Sequence, residues 1–348
     1  MDTQRIERGP AGRARVSDEL IRVLADRYGI GSSKESRDLG GSSTLNLLIE
    51  DDGKRYVVRV YRPWMTTARL AAMQDARHFL IDDGIPCVAP ILTGDRAAWT
   101  RSGNRLVEVE PYVEANGKMD TWARLEAGLP LLGRIHSRLH SFQTAAEGRH
   151  APASNSIAPE NLVSGVRAGT RRLREWDLTS AERDLAALAD LADALAVRVA
   201  TAEGAMPQLP RQLVHGDFWD NNVLSRNEEI VLVADLDFMG ERARIDDLAL
   251  TLYYTNSTFT DDQLSDARIR QLRTLVDAYD SGLDDPLSES ERRAIPLAIA
   301  RTTLGFIAMI AETDSDVTGR RHALEMKPDI AWANTSVDHL DRWQDAMT

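Results

Sequence analysis

Cysteine is almost missing from this chain: Cys87 is the single one in 348 residues. No intrachain disulfide can form, which fits a reducing compartment and sets the expectation of a cytoplasmic protein. Cys87 sits in the apolar stretch GIPCVAPI, a setting for a buried, inert thiol rather than a nucleophile. Long apolar runs are missing as well. The best candidate, Thr303–Ala311, is shorter than a bilayer requires and follows Arg301. The N-terminal stretch MDTQRIERGPAGRAR has no apolar core, so it does not read as a secretion signal. Residues 1–16 are expected to form a disordered tail. Positive charge is in deficit: 42 Lys and Arg against 54 Asp and Glu leave a formal net charge of −12. That balance disfavours nucleic acid and anionic membrane as partners and is compatible with a cationic small ligand. Oligomeric state is not legible.

What is present is ordinary globular material, 43% hydrophobic and 28% charged, in a chain long enough for two lobes. Ser17 followed by DELIRVLADRYGI has a helix-start residue, helical apolar spacing and a terminal Gly29. Two strand-like runs, Leu45–Glu50 and Arg55–Tyr61, flank an Asp-Asp-Gly turn and predict a hairpin. A helix over roughly Thr67–Ile81 and further strands follow. Beyond about Val113 the periodicity becomes helical, with a strand-rich interruption from Gln212 to Phe238. The expected class is α+β: an N-terminal lobe over 17–109, a connector at 110–113 and a larger, mostly helical lobe over 114–348.

The interruption holds the chemistry. In LVHGDFWDNNVL, Asp217 is followed five residues later by Asn222, and IVLVADLDF then supplies Asp235 and Asp237. A hairpin centred on Glu228–Glu229 puts Asn222 opposite Asp235, with Cβ atoms about 5 Å apart, though the register can slip by one. An amide oxygen beside a carboxylate suits Mg²⁺, which prefers oxygen ligands. Asp217 stands where it can orient or deprotonate a hydroxyl. Asp237 projects to the same side as Asp235 if the chain stays extended, offering a second metal contact. The order of a catalytic Asp, an Asn five residues on and a later metal-binding Asp is that of phosphoryl-transfer sites.

HGDFWDNN, VADLDF and DDLAL together resemble the aminoglycoside phosphotransferase family, a branch of the protein-kinase-like fold that also contains homoserine, choline and methylthioribose kinases. LGRIHSRLHSF and LGGSSTLNLLIEDDGKRYVVRVY are similar to its pre-catalytic helix and nucleotide loop. The resemblance implies a two-lobed small-molecule kinase using ATP or GTP and Mg²⁺, with an aminoglycoside or similar amino-sugar antibiotic as acceptor. It makes Asp217 the catalytic residue and Asn222, Asp235 and Asp237 the metal contacts. His215 and Gly216 would shape the loop and Asp247 would anchor it. Gly40, Gly41, Ser42 and Ser43 would cover the phosphates. Arg59 would stand where protein kinases carry lysine, with Asp75 (or Gln74) as its partner. Glu110 and Tyr112 lie in the segment that would meet the base through backbone groups.

Other readings compete. A metabolic kinase for homoserine, choline or a sugar would show the same motifs, and so would a nucleotide-binding pseudokinase. A metal-dependent hydrolase is disfavoured because no histidine cluster accompanies the acids. His136 and His140 lack the glutamate that a zinc protease motif needs between them, and read as packing and hydrogen-bonding residues. Trp219 and Trp332 read as packing residues too.

Overall fold

The structure is a computed structural model and describes residues 13–31, 36–41, 44–150, 155–176, 184–258, 265–313 and 316–348. The chain divides into two units, one ending at Asn116 and the other beginning at Gly117.

In the first unit, Ser17 caps α1 (Asp18–Tyr28) by accepting from the Leu20 amide, and Gly29 closes it at φ 69°. Five strands follow: β1 (Ser36–Asp38), β2 (Leu45–Asp51), β3 (Lys54–Val60) and, after α2 (Thr67–Asp82), β4 (Thr100–Ser102) and β5 (Arg105–Pro111). They form one antiparallel sheet in the order β1-β2-β3-β5-β4. The β2–β3 hairpin turns on Asp52 and Gly53, both at positive φ, as the Asp-Asp-Gly signal predicts. Leu20 and Leu24 of α1 pack on Leu45, Leu47, Val58, Val60 and Val109 of the sheet.

The second unit runs β6 (Gly117–Lys118), α3 (Trp122–Ser141), α4 (Ala146–Arg149), α5 (Leu162–Glu175), α6 (Asp184–Gly204), β7 (Arg211–Val214), β8 (Val223–Arg226), β9 (Glu229–Val233), β10 (Gly240–Ala243), α7 (Arg244–Thr258), α8 (Asp266–Ser281), α9 (Glu289–Met309), α10 (Asp316–Glu325), α11 (Lys327–Asp338) and α12 (Leu340–Met347). The strands make two small antiparallel sheets, β10-β7 and β6-β8-β9. Helix α9 is the hub, packed by α5, α6, α7, α11 and α12. With its 3₁₀ extension it spans Glu289–Glu312 and, contrary to expectation, is long and apolar enough to cross a membrane. Its most apolar window is 83% buried inside the fold, which marks it as a core helix. Trp332 meets Trp343 edge to face at 5.7 Å in this core, and Trp219 stacks on Tyr254 at 4.7 Å.

Candidate active site

Strand β7 ends at Val214 and delivers His215, Gly216 and Asp217 into a tight turn. Gly216 sits at φ 85°, and a Cβ there would come within 2.2 Å of the Phe238 carbonyl oxygen, so only glycine fits. His215 is fully buried: Nδ1 accepts from the Asp217 amide at 3.2 Å, and Nε2 donates to the Ala234 carbonyl at 3.1 Å. Burial holds its pKa below the usual value, which keeps the ring neutral for both bonds. Asp247, near the start of α7, accepts from the Gly216 amide at 2.9 Å and from His136 Nε2 at 3.0 Å. His136 Nδ1 in turn meets the Tyr279 hydroxyl at 2.7 Å. Burial alone would raise the Asp247 carboxyl, but His136, His215 and the Gly216 amide hold it at about 2. His140 is exposed and takes no part.

Asp217 is buried, and both its carboxylate oxygens are occupied. Asn222 gives its Nδ2 hydrogens to Asp217 Oδ2 at 2.7 Å and to the Asp217 carbonyl at 2.8 Å. Asn155 Nδ2 donates to Oδ1 at 2.5 Å. With both side-chain amide hydrogens committed, Asn222 Oδ1 is left as an acceptor. Burial pushes the Asp217 carboxyl well above its ordinary value, and the charges of Asp235, Asp247 and Asp237 add to that push while Asn222 opposes it.

The hairpin places the next acids one step from the expected register. The pairs are Val223↔Val233 and Leu224↔Leu232, with a bulge before Ser225↔Ile230. The turn uses Asn227 and Glu228, both at positive φ, rather than Glu228–Glu229. Asn222 therefore faces Ala234, whose amide donates to the Asn222 carbonyl at 2.9 Å, and Asp235 is the residue beyond. Asp235 adopts φ 68° and caps a 3₁₀ turn over Leu236–Phe238, so the chain does not stay extended to Asp237 as expected. Asp237 is buried in that turn, and its amide donates to Asp235 Oδ1 at 3.4 Å. Among the described residues no three His, Cys, Asp or Glu side chains gather into a closed metal site. The Asn222 oxygen and the Asp235 carboxylate fit instead an open site for a hard cation, completed by water and phosphate oxygens.

In the first unit the glycine turn is well tethered. Gly40 and Gly41 lie at φ 93° and 107°. Arg13 donates to the Gly40 carbonyl at 3.0 Å and to the Thr44 carbonyl at 3.2 Å, and forks onto both Asp38 oxygens at 2.6 and 2.5 Å. Arg13 thus belongs to the fold, although it falls in the stretch expected to be a disordered tail. Ser42 and Ser43 lie outside the described residues.

Arg59 does not pair with Asp75, which is exposed on α2. Its carboxylate comes from the neighbouring strand: Arg59 Nη1 lies 3.8 Å from Glu110 Oε1, both buried. Arg77 of α2 bonds Glu110 and forks onto Glu108 at 2.7 and 2.6 Å, while Gln74 also bonds Glu108. Arg59 stands directly opposite Glu108 in the β3–β5 register, so Glu108 and Glu110 share its face of the sheet. Burial pushes Glu110 up to about 7 against the pull of Arg59 and Arg77. Tyr112 spends its amide on the Arg55 carbonyl at 3.1 Å and lies under the Arg55 guanidinium. Cys87 is half-buried, and burial pushes its thiol up to about 12.

Residues 35–288 match the model of the phosphotransferase enzyme family. The chain belongs to that family. This phosphotransferase is a small-molecule kinase acting on hydroxyl groups. It is 25% identical to a homoserine kinase of Gluconacetobacter diazotrophicus over 84% of this chain and 85% of that one. It is 27% identical to a homoserine kinase of Caulobacter sp. strain K31 over 87% and 88%. Its fold is the protein-kinase-like two-lobed one, shared with a microcompartment-associated aminopropanol kinase (TM-score 0.65, 15% identity, 92% and 97% covered) and an amicoumacin kinase (TM-score 0.66, 13% identity, 92% of both chains). The spacing of Asp217, Asn222 and Asp235 is what marks these candidates in the sequence. Asn155, Arg13, Arg77 and Glu108 escape it. Only the alternation of Glu108 and Glu110 in RLVEVEP carried a signal for the last of these.

Proposed function

We propose that this kinase transfers the γ-phosphate of ATP, with Mg²⁺, to the hydroxyl of a small amine-bearing alcohol of the homoserine class. The observation that carries the reading is the buried Asp217 carboxyl, fixed by amide donors from Asn222 and Asn155 and acted on by the charge of Asp235. Asp217 would receive the acceptor's proton as the acceptor oxygen bonds the γ-phosphorus and the bond to the β-phosphate bridging oxygen breaks, releasing ADP. Asn222 and Asp235, with Asp237 behind them, would hold the cation, which when bound neutralises phosphate charge. Gly40, Gly41, Ser42, Ser43 and Arg59 remain the proposed phosphate contacts.

Two observations support the acceptor class. The curated relatives named as homoserine kinases align over more than four-fifths of both chains, and the excess of acids favours an amine. An aminoglycoside acceptor is the second reading, drawn from the motif resemblance; antibiotic-phosphorylating neighbours share only the fold. ATP consumption measured with homoserine, aminopropanol, choline and a set of aminoglycosides separates the two. Homoserine should give the highest kcat/KM. Turnover confined to aminoglycosides overturns the acceptor assignment. A thermal shift with ATP and Mg²⁺ but no product from any acceptor overturns the catalytic one.

A further inference from the structure

Three consecutive residues, Asn155, Ser156 and Ile157, are each held by a separate device. Ser156 Oγ accepts from buried Arg242 of β10 at 2.9 Å, and the same guanidinium donates to the Phe238 carbonyl at 2.9 Å. The Ile157 carbonyl accepts from Arg301 of α9 at 2.6 Å. Arg301 is itself fixed by Glu203 of α6 at 2.8 Å and Asp246 of α7 at 2.5 Å. The Ile157 side chain fills a notch between two helices that only glycines leave open. A Cβ at Gly165 would come within 2.7 Å of Ile157 Cδ1, and one at Gly305 within 3.3 Å of Cγ2. Two buried arginines and two glycines thus fix a short loop segment whose first residue places one amide on Asp217 Oδ1.

We propose that Asn155 is a positioning residue of the active site, clamping Asp217 Oδ1 while Asn222 clamps Oδ2, so that the carboxylate plane is fixed toward the incoming hydroxyl. A carboxylate oxygen accepts two hydrogen bonds, so Oδ1 keeps a lone pair for the acceptor's O–H while Asn155 holds the other. A single amide donor would leave the carboxylate free to turn about its terminal torsion, which is broad for aspartate. Two donors on opposite oxygens remove that freedom before substrate arrives. The proposal rests on the phosphotransfer reading above.

The test compares wild type, Asn155→Ala and the isosteric Asn155→Asp, using homoserine, an aminoglycoside set and water as phosphate acceptors from ATP·Mg²⁺. Loss of one hydrogen bond to a charged group should lower kcat about ten- to hundredfold in the alanine variant, with KM for ATP unchanged. Asn155→Asp keeps the shape but sets a second carboxylate against Asp217, so its kcat should fall below that of the alanine variant. An active wild type with kcat unchanged in both variants overturns this proposal alone. A raised KM for ATP with kcat kept overturns it as well, because the residue would then serve nucleotide binding. A wild type inert toward every acceptor and water overturns the phosphotransfer reading and this proposal with it.

Discussion

The two units bury charge in opposite ways. In the first, Arg59 and Arg77 face Glu108 and Glu110, two positive against two negative, with Gln74 and Tyr61 bonded to the Glu108 carboxylate. In the second, the carboxylates that act on Asp217 are Asp235, Asp247 and Asp237, and every one raises its pKa. Asp247 takes two donors on Oδ2, from His136 and the Gly216 amide, which hold its own charge in place. In the first cluster each guanidinium has a carboxylate partner within the unit, Arg59 with Glu110 and Arg77 with Glu108. In the second, neighbouring carboxylates add negative charge around Asp217, charge that the cation of the proposed function would neutralise.

The largest effect expected from this contrast is on turnover. Asp217→Ala should lower kcat about a hundred- to ten-thousandfold, the range for losing a positioned acid–base group. Binding of ATP·Mg²⁺, read by calorimetry, should persist. Wild-type kcat in that variant would remove Asp217 from the chemistry. In the first unit the corresponding loss is in stability. Glu108→Gln leaves the Arg77 guanidinium with half its compensation in a buried site, and should cost about 3–5 kcal/mol in urea unfolding. A variant as stable as wild type would show that the four-charge cluster is not structural.

The sequence revealed more of the second cluster than of the first, for a physical reason. Asp217 and Asn222 lie in one turn, so their five-residue spacing is itself a geometric statement. Ser17, Gly29 and the Asp52–Gly53 turn are legible likewise, because caps and tight turns depend on nearest neighbours. The hairpin register missed by one because two adjacent dipeptides could serve as the turn. Asn227, which tolerates positive φ better than Glu229, was the clue. The family resemblance put the partner of Arg59 on the following helix. The actual carboxylates arrive from β5, through a strand pairing that no local pattern encodes. Asn155 reaches Asp217 across 62 residues of chain. Nothing near Asn155 in sequence announces that contact, since the devices that fix its loop come from β10, α5 and α9.

A smaller effect tests the compensated acid. Asp247 has a folded pKa of about 2 against 3.8 in the unfolded chain. A lowered folded pKa contributes stability that is present above the unfolded value and is lost as pH falls through the folded one. The expected contribution is about 2 kcal/mol, disappearing between about pH 5 and pH 2. Asp247→Asn should start less stable at neutral pH and fall less steeply on acidification. Parallel curves for the two proteins would mean that His136 and the Gly216 amide do not hold the carboxylate charged.

The smallest effect is the sharpest probe of the contrast. If the acids of the second unit are arranged for a cation, neutralising one of them should help the metal-free protein. Asp235→Asn removes the largest charge acting on Asp217 and leaves an amide oxygen in its place. In EDTA it should raise stability by about 1 kcal/mol, the usual yield of relieving a strained functional site. Added Mg²⁺ with ATP should then stabilise wild type more than the variant, because ligand binding to the folded state adds stability in proportion to site occupancy. Turnover of the variant should collapse under the same conditions. The opposite sign in EDTA, a variant less stable than wild type, would mean that Asp235 is compensated within the fold as Glu108 is, and the distinction between the two clusters would fail.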